Sequence, residues 1–451
     1  MPDLIINGTG VSRSQVDADG EDGFWLDMSE YKELMPNIYA FWEEYPALGD
    51  LTQTNEGSVY SLTRITSEDS SKINEQIYYH IPTLEAAGVD GSKIKTVNDL
   101  YDALVKLKAA YPDKIPYLIT PDVEPAYRNE LNLRTAFGVY SNNNSLMIEA
   151  DDAGNATLLD ISDEHREYLK FLNKLQSEGL IDITDVTRTA DDIKADVKEG
   201  KYCFFTGLLP ALTDADKALD EAKDYSWREN YGLIAALTSD KVTESTYIAN
   251  NGVLNQARVL INAETEYPEA IIRLLDFFHS PEGQIMAIYG VEGEIYDWKV
   301  DDAGIKQIDR ENYWDKDNYE TVADWTIQYI IPQQALAFRW GFIGTVDSLT
   351  EAERANVPTS NTNYWTMRKL DACHAADNFL YASAPIIMTP EQSEAAGSLP
   401  ADLTAFLVTA KVEFINGTRD PNSDADWNAF VKQVQDMGWN QLQPIYQEAM
   451  G

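Results

Sequence analysis

Tyr267-Pro268-Glu269-Ala270-Ile271-Ile272-Arg273-Leu274-Leu275-Asp276-Phe277-Phe278-His279-Ser280-Pro281-Glu282-Gly283-Gln284 is the most informative stretch of the chain. Ile271, Leu274, Leu275 and Phe278 recur at i, i+3, i+4 and i+7, a spacing that gathers apolar side chains on one face of a helix. Similar stripes appear in Val97, Leu100, Leu104 and Leu107, in Tyr168, Phe171, Leu172 and Leu175, and in Trp427, Phe430, Val431 and Val434. Thr96 and Asp99 form a capping box ahead of the first, and Glu178-Gly179 gives the second a glycine end signal. Between the helices lie runs of strand composition at Asp3–Asn7, Tyr202–Thr206, Tyr231–Leu237 and Gly252–Asn262. Strands alternating with helices predict an α/β protein with largely parallel sheets.

At 451 residues, 44% hydrophobic and 11% aromatic, the chain has ample core material. Chains beyond ~250–300 residues split, so two lobes are expected. The 35 basic residues against 75 acidic ones give a formal net charge of −40. That balance excludes a whole-chain grip on nucleic acid or on anionic lipid, which both require clustered Lys and Arg. No apolar run reaches the ~18–20 residues that span a bilayer, and the opening MPDLIING has neither a basic region nor a cleavage site.

Cys203 and Cys373 lie too far apart for a disulfide framework or a cysteine zinc site. With His80, His165, His279 and His374 and no HExxH pattern, a histidine metal site is not expected. Gly8-Thr9-Gly10 follows a strand, but Arg13 stands where a dinucleotide loop needs its third glycine, so no cofactor is predicted. Asp17, Asp19, Glu21 and Asp22 resemble a calcium loop, yet Asp22 replaces the turn glycine and Met28 the bidentate acid, leaving an acidic surface loop as the expectation. Asp420, Asn422, Asp424 and Asp426 precede the Trp427 stripe, where a helix dipole favours acids. Paired carboxylates could hydrolyse glycosides, but among 75 acids no pair stands out. Ala335 to Phe342 is different: Phe338, Arg339, Trp340 and Phe342 crowd together without helical or strand period. Sugar C–H faces stack on aromatic rings, and sugar hydroxyls and carboxylates take planar donors such as Arg.

The segment Tyr267–Gln284, followed by Tyr289-Gly290-Val291-Glu292-Gly293-Glu294 and Tyr296-Asp297-Trp298, resembles the extracellular solute-binding proteins of family 1, the carbohydrate receptors of ABC importers, in their long-chain, aldouronate-type variant. Pro2-Asp3-Leu4-Ile5 is similar to the family's "PDI" strand, Ser177-Glu178-Gly179-Leu180-Ile181-Asp182 to its "EGLID" helix end, and Phe414-Ile415-Asn416-Gly417 with Trp427–Val431 to its C-terminal helix pair. These matches run in the family's order from residue 2 to the last helix.

The resemblance implies a two-lobed periplasmic-binding-protein-like fold with a crossing-strand hinge, sugar held in the cleft and no catalysis. Residues 1–119 and 256–335 would form the first lobe, and 120–255 and 336–451 the second. Lobe closure around the ligand would be read by the importer's membrane subunits. Relatives begin with a signal peptide, a lipid-anchored cysteine and further strands before the "PD" position. The expectation is therefore an extracytoplasmic lipoprotein whose anchor and first strands are absent from these 451 residues. His80-Ile81-Pro82-Thr83-Leu84 replaces the family's "RKDWL" pattern, so contacts from that pattern are not transferred.

The positions that match give the ligand-binding candidates. Asn7 ends the "PD" strand, Tyr140 stands where relatives place a stacking aromatic, and Phe205 ends its strand at the cleft floor. Asn251 lies where the chain recrosses, Arg64 is a donor, and Arg339 with Trp340 falls where long-chain relatives supply a stacking tryptophan. A monomer binding an oligosaccharide, with no nucleic acid partner, is the reading that follows. A uronic-acid-containing ligand suits the arginines, which also bind neutral hydroxyls. A secreted glycan-active enzyme and a non-transporting sugar sensor on the same fold are the alternatives. Polysaccharide cleavage would favour the first, and an absence of permease genes nearby the second.

Overall fold

The computed structural model describes residues 1–450 except 7–12, 55, 67–68, 74–75, 120–130, 142, 144–145, 208–224, 253–258, 301–305, 320–321, 327–335, 337, 341–346, 348, 362 and 384–385. The chain forms two compact units. Unit 1 takes Met1–Lys72, Gly252–Glu353 and Ala384–Ala395, and unit 2 takes Ile73–Asn251, Arg354–Ser383 and Ala396–Gly451. The first boundary therefore falls at Lys72, not at 119. Strand pairing is the reason: Gln76–His80 and Ile115–Leu118 belong to one four-stranded sheet with Tyr202–Gly207 and Tyr231–Ile234. Conversely, residues 336–353 go to unit 1, where Phe338 is in the core and Arg339–Trp340 pairs with Ile65–Thr66.

In unit 1, Met28, Ile38, Phe41, Ile261, Ile272 and Leu275 pack into one core, each large apolar side chain contributing ~1.5–3 kcal/mol on burial. Strand Leu4–Ile6 runs antiparallel to Val259–Ile261. The helix Pro268–His279 buries Ile272, Leu275, Asp276 and His279, while Leu274 is 44% exposed. The buried face is thus turned from the apolar stripe, because two polar residues have partners inside. The helix Pro36–Glu44 starts at Met35 without a side-chain cap, and Asp276 supplies one from across the core. Its carboxylate accepts the backbone N–H groups of Asn37 at 2.8 Å and Ile38 at 3.0 Å, and the Asn37 amide at 2.8 Å. His279 stacks on Phe338 with ring centroids 4.0 Å apart and shares a 2.8 Å bond with the Leu275 carbonyl. The acidic segment at Asp17 is not a surface loop. It lies in the helix Arg13–Glu21, and Asp17 is buried against Arg13 at 2.7 Å.

In unit 2 the strand order is Ile115–Leu118, Tyr202–Gly207, Gln76–His80, Tyr231–Ile234. Only the first pair is parallel, since Gln76–His80 runs antiparallel to both its neighbours. A mixed sheet replaces the largely parallel one expected. Tyr78, Leu118, Phe205, Trp227 and Trp365 pack together around it. The helix Val97–Ala110 carries the expected capping box from Thr96 and Asp99. The helix Asp163–Ser177 buries Tyr168, Leu169, Leu172 and Leu175 and packs against Leu399–Asn416, with the Asn173 amide donating to the Phe414 carbonyl at 3.0 Å. It ends at Gly179, whose φ of +66° suits glycine. Among the described residues no helix is long and apolar enough to cross a membrane.

Candidate functional site

Three candidates meet at one place in unit 1. Arg339 pairs with Ile65 and Trp340 with Thr66 in a short parallel register, and the Ile65 N–H donates to the Phe338 carbonyl at 2.9 Å. Arg64 immediately precedes this pairing, so its backbone runs beside the Phe338–Trp340 segment. Its guanidinium is half-buried, and desolvation lowers its pKa. The same strand is fixed at its other end, where the Thr66 N–H donates to the Gly252 carbonyl at 2.7 Å. Gly252 has φ +82°, and a Cβ there would lie 2.3 Å from the Thr66 oxygen. Only glycine fits that approach. Asn7 lies outside the described residues, as does the Gly8-Thr9-Gly10 loop.

In unit 2, Tyr140 is 39% exposed between buried Val139 and Ser141. Arg134, fully buried, donates to the Ser141 carbonyl at 3.1 Å. A pinned backbone with inward-facing neighbours leaves the Tyr140 ring directed to solvent, as a stacking aromatic requires. Phe205 is placed differently. It is 3% exposed, on a strand paired on both sides, with its ring 5.7 Å from Tyr78 and 6.3 Å from Tyr231.

Asn251 follows the strand Thr246–Ala249, which pairs in parallel with Asn378–Tyr381. Its side-chain amide donates to the Ser383 carbonyl at 2.8 Å. Beside it stands Tyr381, 49% exposed, an aromatic that sequence reasoning did not single out. The run Asn378-Phe379-Leu380-Tyr381 carried the signal, four residues of strand composition containing two aromatics.

Burial is the leading cause of the pKa shift for four ionisable groups of the two units. Asp160 of unit 2 is pushed up to about 6 by desolvation, with the Met147 N–H and the charges of Arg134 and Lys411 opposing the rise. The Met147 N–H reaches its carboxylate at 2.6 Å. His279 of unit 1 is pushed down to about 4 by desolvation. The thiols of Cys203 and Cys373 are buried and free, and desolvation raises both, to about 11 and about 12. Neither is poised as a nucleophile. Among the described residues no three His, Cys, Asp or Glu side chains gather as a metal-holding group.

No protein-family model matches the chain. A curated relative, the fructooligosaccharide ABC transporter substrate-binding protein FusA of Streptococcus pneumoniae serotype 4 (strain ATCC BAA-334 / TIGR4), is 27% identical over 162 residues. That alignment spans 33% of this chain and 29% of the relative, less than a third of its length. Among solved structures, an extracellular solute-binding protein from Bifidobacterium longum subsp. infantis superposes with a TM-score of 0.70 at 19% identity, covering 100% of this chain and 87% of its own. The alginate-binding protein AlgQ2 gives a TM-score of 0.66 at 16% identity, with 100% and 86% covered. Over its whole length, then, this chain has the two-lobed fold of the extracellular solute-binding proteins.

Proposed function

We propose that the chain is the substrate-binding component of an ABC importer, taking up an oligosaccharide and handing it to the importer's membrane subunits without chemical change. The observation that carries this reading is the fold likeness extending over the entire chain. It is supported by the weaker sequence match to a fructooligosaccharide ABC transporter substrate-binding protein and by the pairing of Arg339 and Trp340 with Ile65 and Thr66, directly after Arg64. The ligand-facing residues proposed are Asn7, Arg64, Arg339 and Trp340 in unit 1 and Tyr140 and Asn251 in unit 2. Phe205, buried in the core of unit 2, is left out of this set. The protein acts as an extracytoplasmic monomer, tethered as a lipoprotein, and has no nucleic acid partner.

Calorimetry of the protein against a panel of neutral and uronic-acid-containing oligosaccharides tests this. The expected result is binding with Kd on the order of micromolar, about −8 kcal/mol, with no product on chromatography. Absence of heat for every sugar, or cleavage of any, would overturn the reading.

A further inference from the structure

Unit 2 carries an open groove of about 540 Å³ whose lining includes none of the residues proposed above. One wall is the face of the helix Asp163–Ser177 turned away from its core. Glu167, Lys170, Phe171 and Lys174 recur there at i, i+3, i+4 and i+7, all lining the groove. The loop Ser239-Asp240-Lys241 and the first turn of the helix Val97–Ala110 add further walls, Asn98 among them, and Phe137 lies beside Phe171. The two phenyl rings are 5.5 Å apart and tilted by 44°.

In a chain of net charge −40 this groove is lined by three lysines against two carboxylates. Each of the three has a partner. Lys170 Nζ lies 2.8 Å from one oxygen of Glu167 and Lys241 Nζ 3.7 Å from the other. The Lys170 hydrogen bond is the leading cause that holds the Glu167 carboxyl below its ordinary range. One carboxylate thus anchors two ammoniums brought from separate elements, leaving a positive charge in excess. Lys174 Nζ is held 3.4 Å above the centroid of the Tyr101 ring, a cation–π contact that orders the ammonium without neutralising it. Tyr101 is in turn held by donating its hydroxyl to Glu178 at 2.8 Å.

Pre-positioned ammoniums bind an anion at little ordering cost. Screening over ~8 Å at physiological salt lets these local cations outweigh the distant acidic field. Amides such as Asn98 and hydroxyls such as Ser239 pair with hydroxyl groups, and a tilted phenyl pair accepts flat C–H faces. An anion, several hydroxyls and a flat C–H face coexist in one chemical class. The volume is within the ~300–1,000 Å³ typical of small-ligand sites. We propose that this groove binds an acidic sugar, a hexuronate or short uronate oligomer, as a site of unit 2 separate from the transported ligand's residues.

The test uses the full chain with its lysines reductively methylated with ¹³C, which keeps their charge, and digalacturonate as the probe. Single Lys→Arg variants assign the signals of Lys170, Lys174 and Lys241. The expected result is saturable movement of these signals with digalacturonate and none with neutral digalactose. Lys174→Glu should then weaken binding about tenfold in a protein that still unfolds cooperatively. Phe171→Leu, which keeps most of the packing volume but removes the ring, should weaken it about threefold or more. Signals that stay still, that drift unsaturably along with every other lysine, or that respond equally to digalactose would overturn the proposal. The groove signals report this site alone, so the outcome is independent of whether the importer reading holds.

Discussion

Asn251 donates its side-chain amide to the backbone carbonyl of Ser383 at 2.8 Å. Each is the last residue of a stretch that belongs to unit 2. The Ala382 N–H also donates to the Ala249 carbonyl at 2.7 Å, so two of the points where the chain leaves unit 2 are laced together. Asn251→Ala should lower the stability of unit 2 by ~0.5–1.5 kcal/mol, the net worth of one hydrogen bond. Urea denaturation checks this, and an unchanged midpoint would mean that the lacing carries no stability.

The two units should respond to acid in opposite directions. Asp160, pushed up to about 6, favours its neutral form in the fold. Its contribution to unit 2 is complete below the ordinary pKa of ~3.9 and is lost as pH rises through about 6. His279, pushed down to about 4, is kept neutral in the fold. Its contribution to unit 1 is complete above ~6.5 and is lost as pH falls through about 4. Between pH ~7 and ~5 unit 1 should lose, and unit 2 gain, about 1–2 kcal/mol each from these groups. Scanning calorimetry should show two transitions separating on acidification, with Asp160→Asn flattening one dependence and His279→Phe the other. Transitions that move in parallel would contradict this.

Asp276 caps a helix to which it does not belong. Asp276→Ala leaves the Asn37 and Ile38 N–H groups without their acceptor at a buried helix start, and should cost ~2–4 kcal/mol in unit 1. Asp276→Asn keeps one acceptor oxygen and should cost less than half as much. Denaturation of both variants gives the ordering, and equal losses would show that packing rather than capping is responsible.

Trp340 is the strongest single test of the proposed ligand face. Trp340→Ala should weaken oligosaccharide binding by ~1–3 kcal/mol, with a smaller effect from Arg339→Lys for a neutral sugar than for a uronate. An unchanged Kd would remove Trp340 from the site.

Local signals are legible in the sequence. Thr96 and Asp99 make both bonds of their capping box, at 3.0 and 2.9 Å, because the box needs nothing beyond four adjacent residues. Signals that depend on distant partners are not. The stripe Ile271, Leu274, Leu275, Phe278 overlaps the buried face of its helix at Leu275 but includes exposed Leu274 and omits Asp276, which is drawn inward by N–H groups more than 230 positions away in sequence. The acids around Asp17, weighed alone, suggest a loop, whereas Arg13 one helical turn earlier pairs with Asp17. For the candidate site, the resemblance locates Arg64, Arg339 and Trp340, but the pairing of Arg339–Trp340 with the strand that follows Arg64 exists only in the fold. The lysine groove leaves no sequence trace, since Lys170 and Lys174 read as an ordinary solvated helix face until Lys241 and Tyr101 are placed beside them.

The strand Leu4–Ile6 pairs with Val259–Ile261, so it leaves the ribosome long before the middle of the chain supplies its partner. Unit 2 likewise lacks Leu399–Asn416, the helix that covers Asp163–Ser177, until translation is almost finished. The four-stranded sheet, by contrast, draws all its strands from the stretch between Gln76 and Ile234. Long-range pairings of this kind slow folding, so a nascent chain would hold one early sheet amid otherwise unfinished structure. Unit 2, which takes Ala396–Gly451, is therefore completed last, and a stop codon before Leu399 would leave the helix Asp163–Ser177 without the helix that packs on it.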